Sequence, residues 1–180
     1  MKKKRKIIVI LTILLLIAAG TALTVFSMLP ARQFVLVQDD GVYFNMTENQ
    51  LEKIKGTPAE IDQNEAVSSK KCYRYKEQIS GYEASVEYWF AKDLFREKLF
   101  EVSLLIPNIS YENAYELVTL FSERMINEYS GYEDFYETEL QLQSNTFISK
   151  KFGTDNGAAG ISCEIKYENQ VFSIQAVNQQ

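Results

Sequence analysis

This 180-residue chain has two cysteines, Cys72 and Cys163, and their chemistry depends on whether they meet. A bridge between them would close a long loop and stabilise the fold by about 2–4 kcal/mol. Alternation of apolar and polar residues places Cys163 on an apolar strand face. Cys72 stands at the start of another strand, among Arg74 and Lys76. Such opposite environments weigh against pairing, and the competing reading is two separate thiols, with Cys163 filling core space.

The chain has no histidine, which removes the commonest general base near neutral pH and the commonest zinc ligand. Ser-His-Asp and Cys-His hydrolysis are thereby excluded. No glycine-rich phosphate loop, EF-hand spacing or paired-cysteine motif occurs, so neither a cofactor nor a metal is expected. Carboxylate pairs stand at Asp39-Asp40, Glu133-Asp134 and Glu137/Glu139. A glycosidase needs two carboxylates facing one cleft, and solvated surface acids are the simpler reading. Aromatic residues are the larger excess, with 11 Tyr, 11 Phe and one Trp. Tyr82, Trp89, Tyr132 and Tyr136 fall at turns or on polar strand sides, where a binding surface would use them. Cross-strand packing is the competing reading, because aromatics are ordinary strand formers.

The elements that position these residues begin with an anchor. A cytoplasmic basic tail, residues 1–6 with Lys2-Lys3-Lys4-Arg5-Lys6, precedes an uncharged apolar run of 23 residues, Ile7 to Leu29. As a helix that run spans roughly 34 Å, enough for a hydrocarbon core of about 30 Å. No comparable cationic cluster follows it, so the N-terminus is expected in the cytoplasm and residues 30–180 across the membrane. Gly20-Thr21-Ala22 offers a signal-peptidase site, but the apolar run continues through Leu23, Val25, Phe26, Met28 and Leu29. An uncleaved signal-anchor follows, with the domain at the cell surface or in a bacterial envelope.

Of 19 Lys+Arg only 14 lie beyond the anchor, together with all 24 Asp+Glu, so this part carries about −10. Such a charge disfavours nucleic acid as a partner.

Residues 34–44 read as two extended pieces around an Asp39-Asp40-Gly41 turn. A short helix follows, capped by Thr47 and Gln50, stapled by Met46 and Leu51, and ended by Gly56 and Pro58. After a loop over roughly Asp62–Lys71, strands are expected at Cys72–Ile79, Glu83–Phe90 and Leu99–Ile106. The last would put Phe100, Val102, Leu104 and Ile106 on one face. Ser110 caps a second helix over Tyr111–Tyr129, with Ala114, Leu117, Val118, Phe121, Met125 and Tyr129 at helical spacing. Further strands are expected over Thr138–Lys150, Ala159–Glu168 and Gln170–Val177. The tripeptides Asn45-Met46-Thr47 and Asn108-Ile109-Ser110 match glycosylation sequons, and both coincide with helix caps.

The expected fold class is therefore α+β: a transmembrane helix plus one ectodomain. In the ectodomain two αβββ-like units, 45–106 and 110–177, form an antiparallel sheet with two helices packed on it. Ser-Gly-Tyr recurs at 80–82 and 130–132.

The segment Met46–Ile61, MTENQLEKIKGTPAEI, resembles the opening of the SmpA/OmlA (BamE-like) domain and of the beta-lactamase-inhibitor-protein-like fold. Met46-Thr47, Leu51, Ile54, Gly56 and Pro58 carry the likeness, and Tyr73 and Tyr75 stand where a strand would begin. The likeness covers sixteen residues, with Asn45 where those families often have Gly and without a lipobox Cys. It implies a small α+β interaction module and brings no catalytic residues. The resulting expectation is a non-catalytic module, held to the membrane by residues 7–29, that binds an envelope or membrane protein. The competing classes are a carboxylate-based envelope hydrolase and a sensor subunit acting through a membrane partner.

Overall fold

A computed structural model of the chain describes residues 41–63, 70–92, 97–131, 134–141, 146–154 and 160–179. All of them belong to the unit Gln33–Gln180. The expected anchor Ile7–Leu29, with the turn residues Asp39 and Asp40, lies outside these residues. No helix among the described residues is long and apolar enough to cross a membrane.

The chain runs α1 (Glu48–Lys55), β1 (Glu60–Gln63), β2 (Lys70–Ile79), β3 (Tyr82–Lys92), β4 (Glu97–Ile106), α2 (Tyr111–Tyr129), β5 (Phe135–Gln141), β6 (Phe147–Thr154), β7 (Gly160–Glu168) and β8 (Val171–Gln179). The eight strands of the described residues form one sheet in the order β1-β2-β3-β4-β8-β7-β6-β5, and each pairing is antiparallel. Each half is a meander whose last strand stands at the centre, so β4 meets β8 through Val102↔Ala176, Leu104↔Ile174 and Ile106↔Phe172.

The expected fold class, two αβββ units with six strands, is overturned by this single eight-stranded sheet. One added strand is β1, whose sequence, EIDQ, holds a single apolar residue, Ile61, and so carries no apolar alternation. It is held instead by pairing with β2 and by an Arg74–Glu60 ion pair. The other arises because the expected strand 138–150 is two strands, β5 and β6, paired as a hairpin. Nor do two equivalent helical layers cover the sheet. The first helix buries only Leu51 and leaves Ile54 exposed, while α2 buries seven residues and packs on β6 and β7.

One sheet face carries the core. Tyr73, Val86, Phe90, Leu104, Ile165, Phe172 and Ile174 join Leu117, Val118 and Phe121 of α2 in a single apolar cluster. Burying these side chains supplies the main driving force, at about 25 cal/mol per Å2 of apolar surface. The 3.6-residue period of α2 puts Phe121 over β8, where its ring stacks on Phe172 at 5.9 Å.

Strand β4 departs from strict alternation. Trp89 pairs with Glu101 but Phe90 pairs with Leu99, so Phe100 is an extra residue in a β-bulge. Leu99 and Val102 are both buried, whereas Phe100 lies beneath the ammonium of Lys70 at 4.8 Å, on the opposite face. The expected face sharing of Phe100 with Val102 is thus corrected.

The two helices start alike. Asn45 and Asn108 both take positive φ, +68° and +56°, a region Asn enters more readily than most residues. A fully buried apolar residue follows each, Met46 or Ile109, and then the N-cap, Thr47 or Ser110. Gln50 Oε1 accepts from the Thr47 backbone N–H at 2.8 Å, and Ser110 Oγ accepts from Asn113 N–H at 3.3 Å. These tripeptides mark the correspondence between the halves. Ser-Gly-Tyr does not: Ser80-Gly81 turns β2 into β3, whereas Ser130 ends α2. The positive φ of Ser80 and Gly81, +51° and +86°, is what a two-residue hairpin needs.

Candidate binding face

Strand alternation leaves the sheet's second face lined mostly by half-exposed and exposed side chains, with Cys72 and Ser149 buried among them. Register fixes its transverse rows. One row runs Glu60, Arg74, Glu87, Ser103, Gln175, Glu164, Lys151 and Thr138 from β1 to β5. The next runs Asp62, Cys72, Trp89, Glu101, Val177, Ser162, Gly153 and Tyr136. At the joint of the two halves lies a depression of about 370 Å3, lined by Ser85, Glu87, Ser103, Leu105, Ser173 and Gln175. Three serines from three adjacent strands produce it, because each fills far less space than its neighbours. Leu105, 45% exposed, gives it an apolar wall.

The charges around this depression are mostly matched. Arg74 donates from Nε to Glu87 Oε1 at 2.9 Å and pairs with Glu60 as well, and these carboxylates push its pKa up. Glu87 also accepts from the Trp89 indole N–H at 3.3 Å, which fixes the ring. Glu164 accepts from Ser149 at 2.8 Å and lies 3.7 Å from Lys151. Among the described residues, Glu101 accepts from neutral donors alone, Gln175 Nε2 at 2.7 Å and Ser103 Oγ at 3.4 Å.

A second depression, about 440 Å3, adjoins the start of α1 and is lined by Thr47, Glu48, Asn49 and Glu97. Its carboxylates are already engaged. Lys71 Nζ lies 2.9 Å from Glu48 and 3.4 Å from Glu97. Burial raises the Glu48 pKa, and its hydrogen bond to Glu97 lowers the Glu97 value. This cluster ties α1 to β2 and β4.

The aromatic candidates separate. Trp89 and Tyr136 share one row of the open face, five strand spacings or about 24 Å apart. The Tyr136 ring lies over its register partner Gly153, where a Cβ would fall 2.4 Å from the hydroxyl oxygen, so it packs across strands. Tyr82 lies on the other face, half-buried against the core cluster. Tyr132 lies outside the described residues.

Both cysteines are free and buried, Cys72 on the open face and Cys163 in the core. Four strand spacings, about 19 Å, separate their strands, beyond the reach of a disulfide, and this corrects the candidate bridge. Burial pushes both thiols up to about 12. At neutral pH both are protonated, which removes their nucleophilicity. Of the carboxylate pairs, Glu137 and Glu139 flank Lys150 Nζ at 3.8 and 3.1 Å, and Asp134 is half-buried. Asp39, Asp40 and Glu133 lie outside the described residues. Among the described residues no group of three or more Cys, Asp or Glu side chains could hold a metal ion.

Ser103, Leu105, Ser173, Gln175 and Glu101 carry no motif and are absent from any reading of the sequence alone. Only the β4–β8 register, about 70 positions apart in the chain, brings them together. No family model, curated protein or solved structure matches this chain.

Proposed function

We propose that this chain is a membrane-anchored extracytoplasmic binding module without catalytic activity, and that its partner, an envelope or membrane protein, docks on the open sheet face. The observation that carries the reading is the depression of about 370 Å3 where the halves join, with exposed Leu105 at its wall. One face of the sheet is committed to the core, so the other is free to meet a ligand without disturbing the fold. Its floor of serines presents hydroxyls and backbone at the bottom of a shallow trough, suited to a protruding segment of another protein. The paired state of Glu137 and Glu139 and the protonated thiols support a role in binding over one in hydrolysis. The likeness of Met46–Ile61 to interaction modules points the same way. The basic tail and the apolar run 7–29 supply the anchor and its orientation.

The test is site-specific photo-crosslinking of the full chain in its native membrane. A photoreactive side chain at Leu105 is expected to capture one defined envelope or membrane protein. The same group at Tyr115, equally exposed on α2, is expected to capture none. Ser103→Arg, which fills the trough, should abolish the Leu105 crosslink while leaving the thermal midpoint within a few degrees. Equal capture from both positions refutes the reading, and so does turnover of envelope glycan by the purified chain.

A further inference from the structure

Resting on that reading, we propose that the open face recognises a cationic side chain, an arginine or lysine projecting from an extended protein segment, at Glu101 and Trp89. Glu101 and Asp62 are the carboxylates of these rows with no cationic partner among the described residues, and Asp62 stands exposed on the edge strand β1, three strands from the joint. Glu60 and Glu87 share Arg74, and Glu164 has Lys151. Yet Glu101 is not loose. Gln175 and Ser103 donate to the same oxygen, Oε1, which holds the group in place and leaves Oε2 for an incoming donor. The β-bulge opposite Trp89 places Glu101 as the register partner of that indole. Glu87 in turn anchors the ring through its N–H. A fixed carboxylate beside a fixed aromatic face is the arrangement that binds a guanidinium or ammonium, by a charge-assisted hydrogen bond and by the ring quadrupole.

Charge complementarity selects the occupant. Everything beyond the anchor carries about −10, which attracts basic segments and repels acidic ones. The depression of about 370 Å3 beside Glu101 has room for a flanking side chain of such a segment, with Leu105 as the apolar contact.

Trp89 is the one tryptophan of the chain and therefore reports its own occupancy. The full chain in non-ionic micelles is titrated with acetyl-(Gly-Arg)3-amide, followed by indole fluorescence and by calorimetry. The expected result is saturable binding that the citrulline counterpart of the peptide does not reproduce. Glu101→Gln should weaken binding at least tenfold. Glu123→Gln, the same charge change on exposed α2, should leave it within twofold. Trp89→Leu, read by calorimetry, keeps every charge and should also weaken binding severalfold. Equal losses from Glu101→Gln and Glu123→Gln, or undiminished binding to Trp89→Leu, would show diffuse attraction to an acidic protein and overturn the proposal. A partner crosslink from Leu105 that survives Glu101→Gln overturns the cation contact while the sheet face stays the binding surface.

Discussion

Replacing Phe172 by alanine tests which face of the sheet is the core. The ring is fully buried on β8, between its register partners Ile106 and Tyr167, and stacks on Phe121 of α2 at 5.9 Å. Truncating a phenylalanine in such a site costs about 3–5 kcal/mol, transfer and cavity together. A domain of this size has about 5–15 kcal/mol in all, so the variant loses a large fraction of its stability. With a urea slope of about 2 kcal/mol per molar, a loss of about 4 kcal/mol lowers the midpoint by about 2 M. The assay is urea unfolding of the full chain in non-ionic micelles, followed by the single indole. Phe147→Ala is the matched control. Its ring is half-buried on the open face beneath Lys166 at 5.5 Å, and its loss should cost no more than about 1 kcal/mol. Phe121→Ala, combined with Phe172→Ala, should show a coupling of about 0.5–1.5 kcal/mol from the stacked rings. A cost under about 1 kcal/mol for Phe172→Ala, or a larger one for Phe147→Ala, would refute the assignment of faces.

The thiols give a second test: neither Cys72 nor Cys163 should react with a disulfide reagent at pH 8 in the folded chain, and both should react in denaturant. A non-reducing gel that shows an intramolecular bridge would contradict the separation of their strands. The Glu48 carboxyl gives a pH test. Because burial raises its folded pKa above the unfolded value, its contribution is fully present below the ordinary glutamate range and is lost as pH rises through the raised value. Glu48→Gln removes that loss and retains a hydrogen-bond donor for Glu97. The variant should therefore gain on the wild-type chain as pH climbs across that window, read by unfolding midpoints from pH 4 to 7. A constant difference across the window would contradict the buried, proton-sharing pair.

Helices were the most readable elements of the chain because their signals are local. Ser110 and the spacing of Leu117, Phe121 and Met125 locate α2 with the bounds found in the structure, and Thr47, Gln50 and Gly56 do the same for α1. Strands β2, β3 and β4 follow from alternation, with ends that shift by one or two residues. Strand β1 escapes detection because three polar residues and an exposed Ile61 pair only once β2 is beside them. The bulge at Phe100 escapes for a related reason: it is a property of two strands, and a single-strand pattern cannot contain it.

What the amino-acid sequence by itself determined about the candidate site is its palette: two cysteines, no histidine, one tryptophan, a surplus of carboxylates and many serines. Tertiary structure alone decided which of these meet. Cys72 and Cys163 were parted because their strands sit on either side of the central pair with opposite facing. Ser103 and Gln175 were gathered because β4 and β8 pair in one register, the β3–β4 bulge set Trp89 beside Glu101, and a slip of one residue would turn a strand's outward side chains into the core. That register is held by the match of Val102, Leu104 and Ile106 to Ala176, Ile174 and Phe172 on the core side. The open face thus inherits its arrangement from hydrophobic packing on the opposite face, an interaction between residues far apart in the chain.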